Sequence, residues 1–176
     1  MYKTGLFVGK FMPPHIGHKQ AILNASKLCE QLIVLVCYEP NITQAECTKY
    51  NLPPMPLDLK FDWLTLEFRD YPNISILKLD ETGMPPFPTG WEAWSKSVQQ
   101  TVRAHIDVIF GSEINYSNGY HTYFPNSNYV LQDIDRKEIN ISSTMIRKDL
   151  KKYLNYILPS ARKYFEDFAK KIKNFN

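Results

Sequence analysis

The 176-residue chain predicts a doubly wound α/β domain, a Rossmann-like parallel sheet of about five strands with helices on both faces. Two continuous apolar, β-branched runs, Gly5–Val8 and Leu32–Val36, suit strands covered on both sides. Segments of helical spacing alternate with these and with later strand-like runs. No repeat, low-complexity stretch or second domain interrupts the pattern, so residues 1–176 read as one domain with closing helices over about 142–172.

The first strand is expected at Gly5–Val8. Lys19–Leu28 follows, with apolar residues at Ala21, Ile22, Ala25 and Leu28, a helical spacing that leads into the second strand at Leu32–Val36. Such a strand–helix–strand unit crosses over right-handed. A helix near Leu57–Phe68 precedes a third strand at Ile74–Leu79, and a helix near Glu92–Ala104 precedes a fourth at Val108–Phe110. Tyr129–Gln132 supplies the fifth strand. Ser142–Tyr153 and Pro159–Ile172 read as the closing helices, the second with Pro159 near its first turn. The Pro- and Asn-rich stretches Glu39–Pro56 and Asp80–Gly90 are expected to be mobile loops. Both follow strands, where such folds bind ligands.

Composition narrows the function. Hydrophobic residues make up 44% of the chain and charged residues 22%, ordinary for a soluble globular protein. Twenty-one basic and 18 acidic side chains leave a formal charge of +3, too mild to argue for a nucleic-acid or membrane partner. No apolar run approaches the roughly 20 residues that span a bilayer. Met1–Thr4 runs straight into a strand without a secretory signal, so a cytoplasmic location is expected. Cys29, Cys37 and Cys47 lack metal or redox spacing and read as reduced thiols.

The first strand empties into Gly9-Lys10-Phe11-Met12-Pro13-Pro14-His15-Ile16-Gly17-His18, and a helix follows. A loop between a first strand and its helix presents backbone N–H groups and a positive dipole end to anions. His15 and His18, three apart, share a face in the first helical turn. With Lys10 they form a sensible grip for a triphosphate. The same pair could instead serve helix structure or bind a metal, although no third or fourth ligand is evident. A P-loop is excluded: only three residues separate Gly5 from Gly9, and Phe11 stands where a magnesium-binding hydroxyl should be. The second element, Ile141-Ser142-Ser143-Thr144-Met145-Ile146-Arg147, opens a late helix. Its hydroxyls suit N-caps, and Arg147, one turn further in, could turn its fork to the same end and grip a phosphate.

At these residues the chain resembles the nucleotidylyltransferase superfamily, marked by a His-x-Gly-His loop paired with a late Ile-Ser-x-Thr-x-x-Arg. Within it, the chain is similar to the NMN adenylyltransferase domain of NadR-type proteins, from about Lys3 to Phe165. The finer likeness rests on Gly9-Lys10-Phe11, on Met55-Pro56 ahead of a helix bearing Trp63, and on Phe87-Pro88-Thr89-Gly90-Trp91-Glu92-Ala93-Trp94-Ser95. Phe110-Gly111-Ser112-Glu113, Asp135-Arg136, Tyr156-Ile157-Leu158-Pro159, Arg162 and Phe165 extend it. Leu59-Lys60-Phe61-Asp62-Trp63 departs from the Asp-Arg-x-Arg-Trp usual in relatives, and Ile114 replaces a usual proline. The kinase domain that usually follows has no counterpart here, which implies a stand-alone transferase or part of a longer chain.

The resemblance implies adenylyl transfer from ATP to nicotinamide mononucleotide (NMN), giving NAD and pyrophosphate. Gly9, Lys10, Phe11, His15, His18, Ser142, Ser143, Thr144 and Arg147 would bind ATP, with His15, His18, Lys10 and Arg147 carrying the catalysis. Trp94 would stack on the pyridine ring with Trp91 beside it; core packing at helical spacing is the lesser alternative for both. Magnesium would enter with ATP, bound mainly through phosphates and water. ATP and NMN are then the expected partners, with a homo-oligomer left open. The rivals are the same chemistry on nicotinate mononucleotide or phosphopantetheine, a non-catalytic NAD/ATP sensor, and a metal-dependent hydrolase.

Overall fold

A computed structural model describes residues 1–132 and 139–172. Asp135-Arg136 therefore lies outside the described residues. Five strands form one all-parallel sheet in the order β3-β2-β1-β4-β5: β1 Tyr2–Gly9, β2 Cys29–Tyr38, β3 Ile74–Asp80, β4 Val108–Gly111 and β5 Asn128–Leu131. The order reverses between β1 and β4, the place where open α/β sheets leave a crevice at their carboxyl ends.

Alternation along the strands explains why both faces must be covered. Phe7, Val34, Val36 and Phe110 point to one side and join Ile22 and Ala25 of α1 (Ile16–Ser26) and Leu64 and Phe68 of α3 (Leu57–Phe68). Leu6, Leu35, Leu79 and Ile109 point to the other and join Val98 and Val102 of α4 (Trp91–Val102) and Tyr120 of α5 (Ser117–Tyr123). Every strand residue on these two lists is less than a tenth exposed, the period-two signature of a sheet buried on both sides. A third cluster joins Trp63 of α3 to Ile146 of α6 (Ser143–Lys148) and Phe165 of α8 (Pro159–Lys171).

Two expectations need correcting. The Glu39–Pro56 stretch is not a loop throughout: Pro40–Lys49 forms helix α2, with Pro40 in its first turn and Glu39 accepting the Ile42 N–H as N-cap. Only Thr43 and Cys47 of α2 are buried, so no apolar stripe advertises it. The expected helix Ser142–Tyr153 is two short ones, α6 and α7 (Leu150–Tyr153), parted at Asp149, whose carboxylate caps α7 by accepting the Lys152 N–H at 3.0 Å. Of the Asp80–Gly90 stretch, Asp80 ends β3 and residues 81–90 form the loop ahead of α4.

Candidate active site

The loop from Gly9 to His15 leaves the central strand and ends on the N-cap of α1. His15 Nδ1 accepts the His18 backbone N–H at 3.3 Å, and His18 Nδ1 accepts the His15 N–H at 3.2 Å. This is a capping box built from two imidazoles, and it explains the spacing of three: the residues are N-cap and N3. The rings stack with centroids 3.6 Å apart. Because each Nδ1 accepts a hydrogen bond, a neutral ring in this arrangement carries its own proton on Nε2. Gly17 permits this closeness, since a Cβ there would come within 3.0 Å of the His15 ring.

The late motif is sewn to the same loop. Ser142 caps α6 by accepting the Met145 N–H at 3.1 Å. Ser143 Oγ donates to the Pro13 carbonyl at 2.9 Å, and Arg147 Nη1 donates to the Met12 carbonyl at 2.8 Å. Two segments 130 residues apart thus meet through backbone carbonyls.

Together these elements wall a cleft of about 760 Å³. Its lining combines a polar group, Gly9, Lys10, His15, His18, Ser142, Ser143 and Thr144, with an aromatic group, Trp91, Trp94, Phe87 and Tyr116, whose rings contact one another. Two residues expected in the ATP-binding set stand elsewhere. Phe11 is 1% exposed and lies behind His18, ring edge to ring face at 4.9 Å, so it supports that imidazole from the core. Arg147 is not part of the lining; Glu46 of α2 holds it at 2.9 Å, Thr144 Oγ1 accepts from it at 3.3 Å, and Tyr50 covers it. It fastens α2 and α6 to the loop.

Trp91 and Trp94 are half-buried and reach the cleft, but differ in support. Trp91 is a packing hub, with Tyr120, Trp94, Tyr116 and Phe87 edge-on and Tyr123 parallel to it. A Cβ on Gly119 would overlap its indole. Trp94 donates its indole N–H to Glu81 Oε1 at 2.9 Å.

Glu81 and Lys60 were missed by sequence reasoning. Glu81 follows β3 immediately and lines the cleft. Burial raises its carboxyl above the ordinary value, against the pull of Lys10, the Trp94 hydrogen bond and Lys60. Lys60 of α3 is fully buried, donating to the Lys10 carbonyl at 2.7 Å and the Cys37 carbonyl at 3.1 Å, with the Tyr38 ring beside it. Burial pushes its ammonium down to about 8. Both had a signal: an acid at the carboxyl end of a strand, and a lysine at the apolar spacing Leu57, Lys60, Leu64, Phe68.

Among the described residues, no group of three or more His, Cys, Asp or Glu is placed to hold a metal, and no helix is long and apolar enough to cross a membrane. Cys29, Cys37 and Cys47 are buried free thiols.

Residues 6–149 match the cytidylyltransferase-like family, and the chain belongs to it. It is 28% identical over 167 residues to the trifunctional NAD biosynthesis/regulator protein NadR of Escherichia coli K12, covering 92% of this chain and 40% of that protein. The chain thus spans about two fifths of the curated relative. A solved NadR protein in complex with NR superposes with a TM-score of 0.75 at 26% identity, over 93% of this chain and 45% of that one. Another, in complex with NAD and AMP-PNP, superposes at 0.73 and 25% identity, over 94% and 47%. The chain is a nucleotidyltransferase-type domain, related to NadR.

Proposed function

We propose that this member of the cytidylyltransferase-like family transfers the adenylyl group of ATP to NMN, with NAD and pyrophosphate as products. One observation carries the reading: a single cleft is lined both by a cationic, imidazole- and hydroxyl-bearing group and by an aromatic group with two tryptophans. The first suits a triphosphate and the second a pyridine ring. The likeness to a solved protein holding NAD and AMP-PNP supports the same pair of ligand classes.

The 5′-phosphate oxygen of NMN attacks the α-phosphorus of ATP. A P–O bond forms, the bond to the β-phosphate oxygen breaks, and pyrophosphate leaves with its electron pair. The attacking phosphate is already ionised at neutral pH, so no side chain need take a proton. Positioning and charge stabilisation supply the catalysis. His15 and His18 donate from Nε2 to phosphate oxygens, Lys10 balances the outer phosphates, and Ser142, Ser143 and Thr144 add donors. Arg147 acts from behind, holding the Met12 carbonyl and so the loop. The phosphate end offers cations and neutral donors instead of a carboxylate cage, which fits magnesium arriving already coordinated by phosphate oxygens and water. Bound in that way, magnesium would supply neutralisation of the charge on the leaving group.

The test is pyrophosphate release from ATP and magnesium across NMN, nicotinate mononucleotide and phosphopantetheine. Release with a pyridine mononucleotide is the expected result. Release with phosphopantetheine alone, or with no acceptor, sinks the reading.

A further inference from the structure

We infer that Glu81 selects the acceptor by its ring substituent, admitting a pyridine mononucleotide with an uncharged carboxamide and rejecting one with a carboxylate; this rests on the adenylyl-transfer reading above. Glu81 is fixed from both sides. Its backbone N–H extends the β3 ladder by donating to the Tyr38 carbonyl at 2.8 Å, and its Oε1 accepts the Trp94 indole N–H. The carboxylate therefore sits on the cleft wall beside the ring proposed to stack on the pyridine.

An ionised carboxylate accepts about four hydrogen bonds and donates none. Trp94 supplies one donor and the buried Cys37 thiol a second, weaker one. A ring carboxamide brings two N–H donors and no charge, so it can satisfy further acceptor positions. A ring carboxylate brings no donor and sets like charges against each other in a partly desolvated site, where the penalty is severe. The nearby cations do not reverse this. Lys60 is committed to the Lys10 and Cys37 carbonyls and is not part of the cleft lining. Lys10 also pulls on the Glu81 carboxylate, but the triphosphate proposed to bind beside it would take up that charge.

The experiment compares kcat/KM for NMN and nicotinate mononucleotide in the wild type and in Glu81→Gln, which keeps an oxygen for the Trp94 N–H. The wild type is expected to favour NMN by at least about tenfold, and the variant to lose about tenfold or more of that preference, chiefly through a lower KM for the nicotinate acceptor. The ratio of two acceptors on one enzyme cancels any general damage to folding or to the ATP site. Glu81→Met, of similar length, answers the same question should the Gln variant melt below the assay temperature. A wild type that prefers nicotinate, or a variant with the wild-type ratio, overturns the role of Glu81 and leaves adenylyl transfer standing. A wild type that turns over neither mononucleotide overturns both.

Discussion

The two ends of the cleft are held by different forces. At the phosphate end almost every constraint is a hydrogen bond to backbone: each histidine accepts the other's N–H, and Ser143 and Arg147 donate to the Pro13 and Met12 carbonyls. At the aromatic end the constraints are ring faces and edges with centroids 5.0 to 6.3 Å apart, to which the Trp94–Glu81 hydrogen bond adds a polar anchor. Directional bonds tolerate no change of atom, whereas ring packing tolerates a change of atom but not of volume. Point substitutions should therefore fail at one end by chemistry and at the other by shape.

The largest effect is expected at His18. His18→Ala removes one donor to the reacting phosphates and should lower turnover by about 10²–10³-fold. It also removes half of the capping box, worth about 1 kcal/mol, or about 2–4 °C in melting temperature. Steady-state kinetics beside a thermal melt separates the two. Near-normal turnover with the small melting shift would reduce His18 to a cap. The aromatic counterpart is Gly119→Val, which pushes a branched side chain into the Trp91 indole. Overpacking of this kind costs about 1–3 kcal/mol. The KM for the mononucleotide should rise while that for ATP holds. If both constants rise together, the two ends are not mechanically separate.

The same contrast decides what could be read from the sequence. The His15–His18 spacing and the Ser142–Arg147 run are legible because a cap fixes its residues at set offsets. Helix α3 was legible to its ends at Leu57 and Phe68, where apolar residues recur at helical spacing. Helix α2 was not, because polar residues and Pro40 dominate it and its reason to fold includes Glu46 pairing with a residue 101 positions away. For the same reason Arg147 was expected on the phosphates. No local pattern could show that Glu46 and the Met12 carbonyl already hold it. The tryptophans were legible as a pair, but their division of labour depends on Gly119 and Glu81, which only packing brings to them.

Lys60 sharpens the comparison from underneath the phosphate loop. A buried ammonium with carbonyl partners is costly, and replacing it with an apolar residue of similar length is often neutral or stabilising. Lys60→Met should therefore melt at or above the wild-type temperature at pH 7, yet raise the KM for ATP by about tenfold through a looser Lys10 carbonyl. Stability should also lose the part of its pH dependence that Lys60 supplies. The folded lysine titrates at about 8 against an ordinary 10.5, so between those values the unfolded chain holds a proton that the folded one has released. The Lys60 contribution then rises with pH through that window, so wild type should gain about 1–3 kcal/mol relative to the variant, while the raised Cys29, Cys37 and Cys47 thiols pull the other way in both proteins alike. Denaturant melts at pH 7 and pH 10 measure it. A variant that is both less stable and unchanged in KM would make Lys60 a packing residue alone.

The smallest expected effect is the most diagnostic for the aromatic end. Trp94→Phe keeps a ring against Tyr120 and Phe124 but removes the N–H that anchors it to Glu81. If position is set by ring packing, the smaller ring still meets the pyridine, and only part of the stacking and cation–π attraction is lost. The KM for NMN should then rise by about three- to tenfold, equivalent to ~0.7–1.4 kcal/mol, with the ATP constant and melting temperature nearly unchanged. Trp94→Ala should go beyond tenfold and also lower the melting temperature, because it empties a site shared with Tyr120. The pair of variants separates contact from anchorage: a Phe variant as impaired as the Ala variant means that the indole N–H, through Glu81, places the ring, and packing merely fills the space around it.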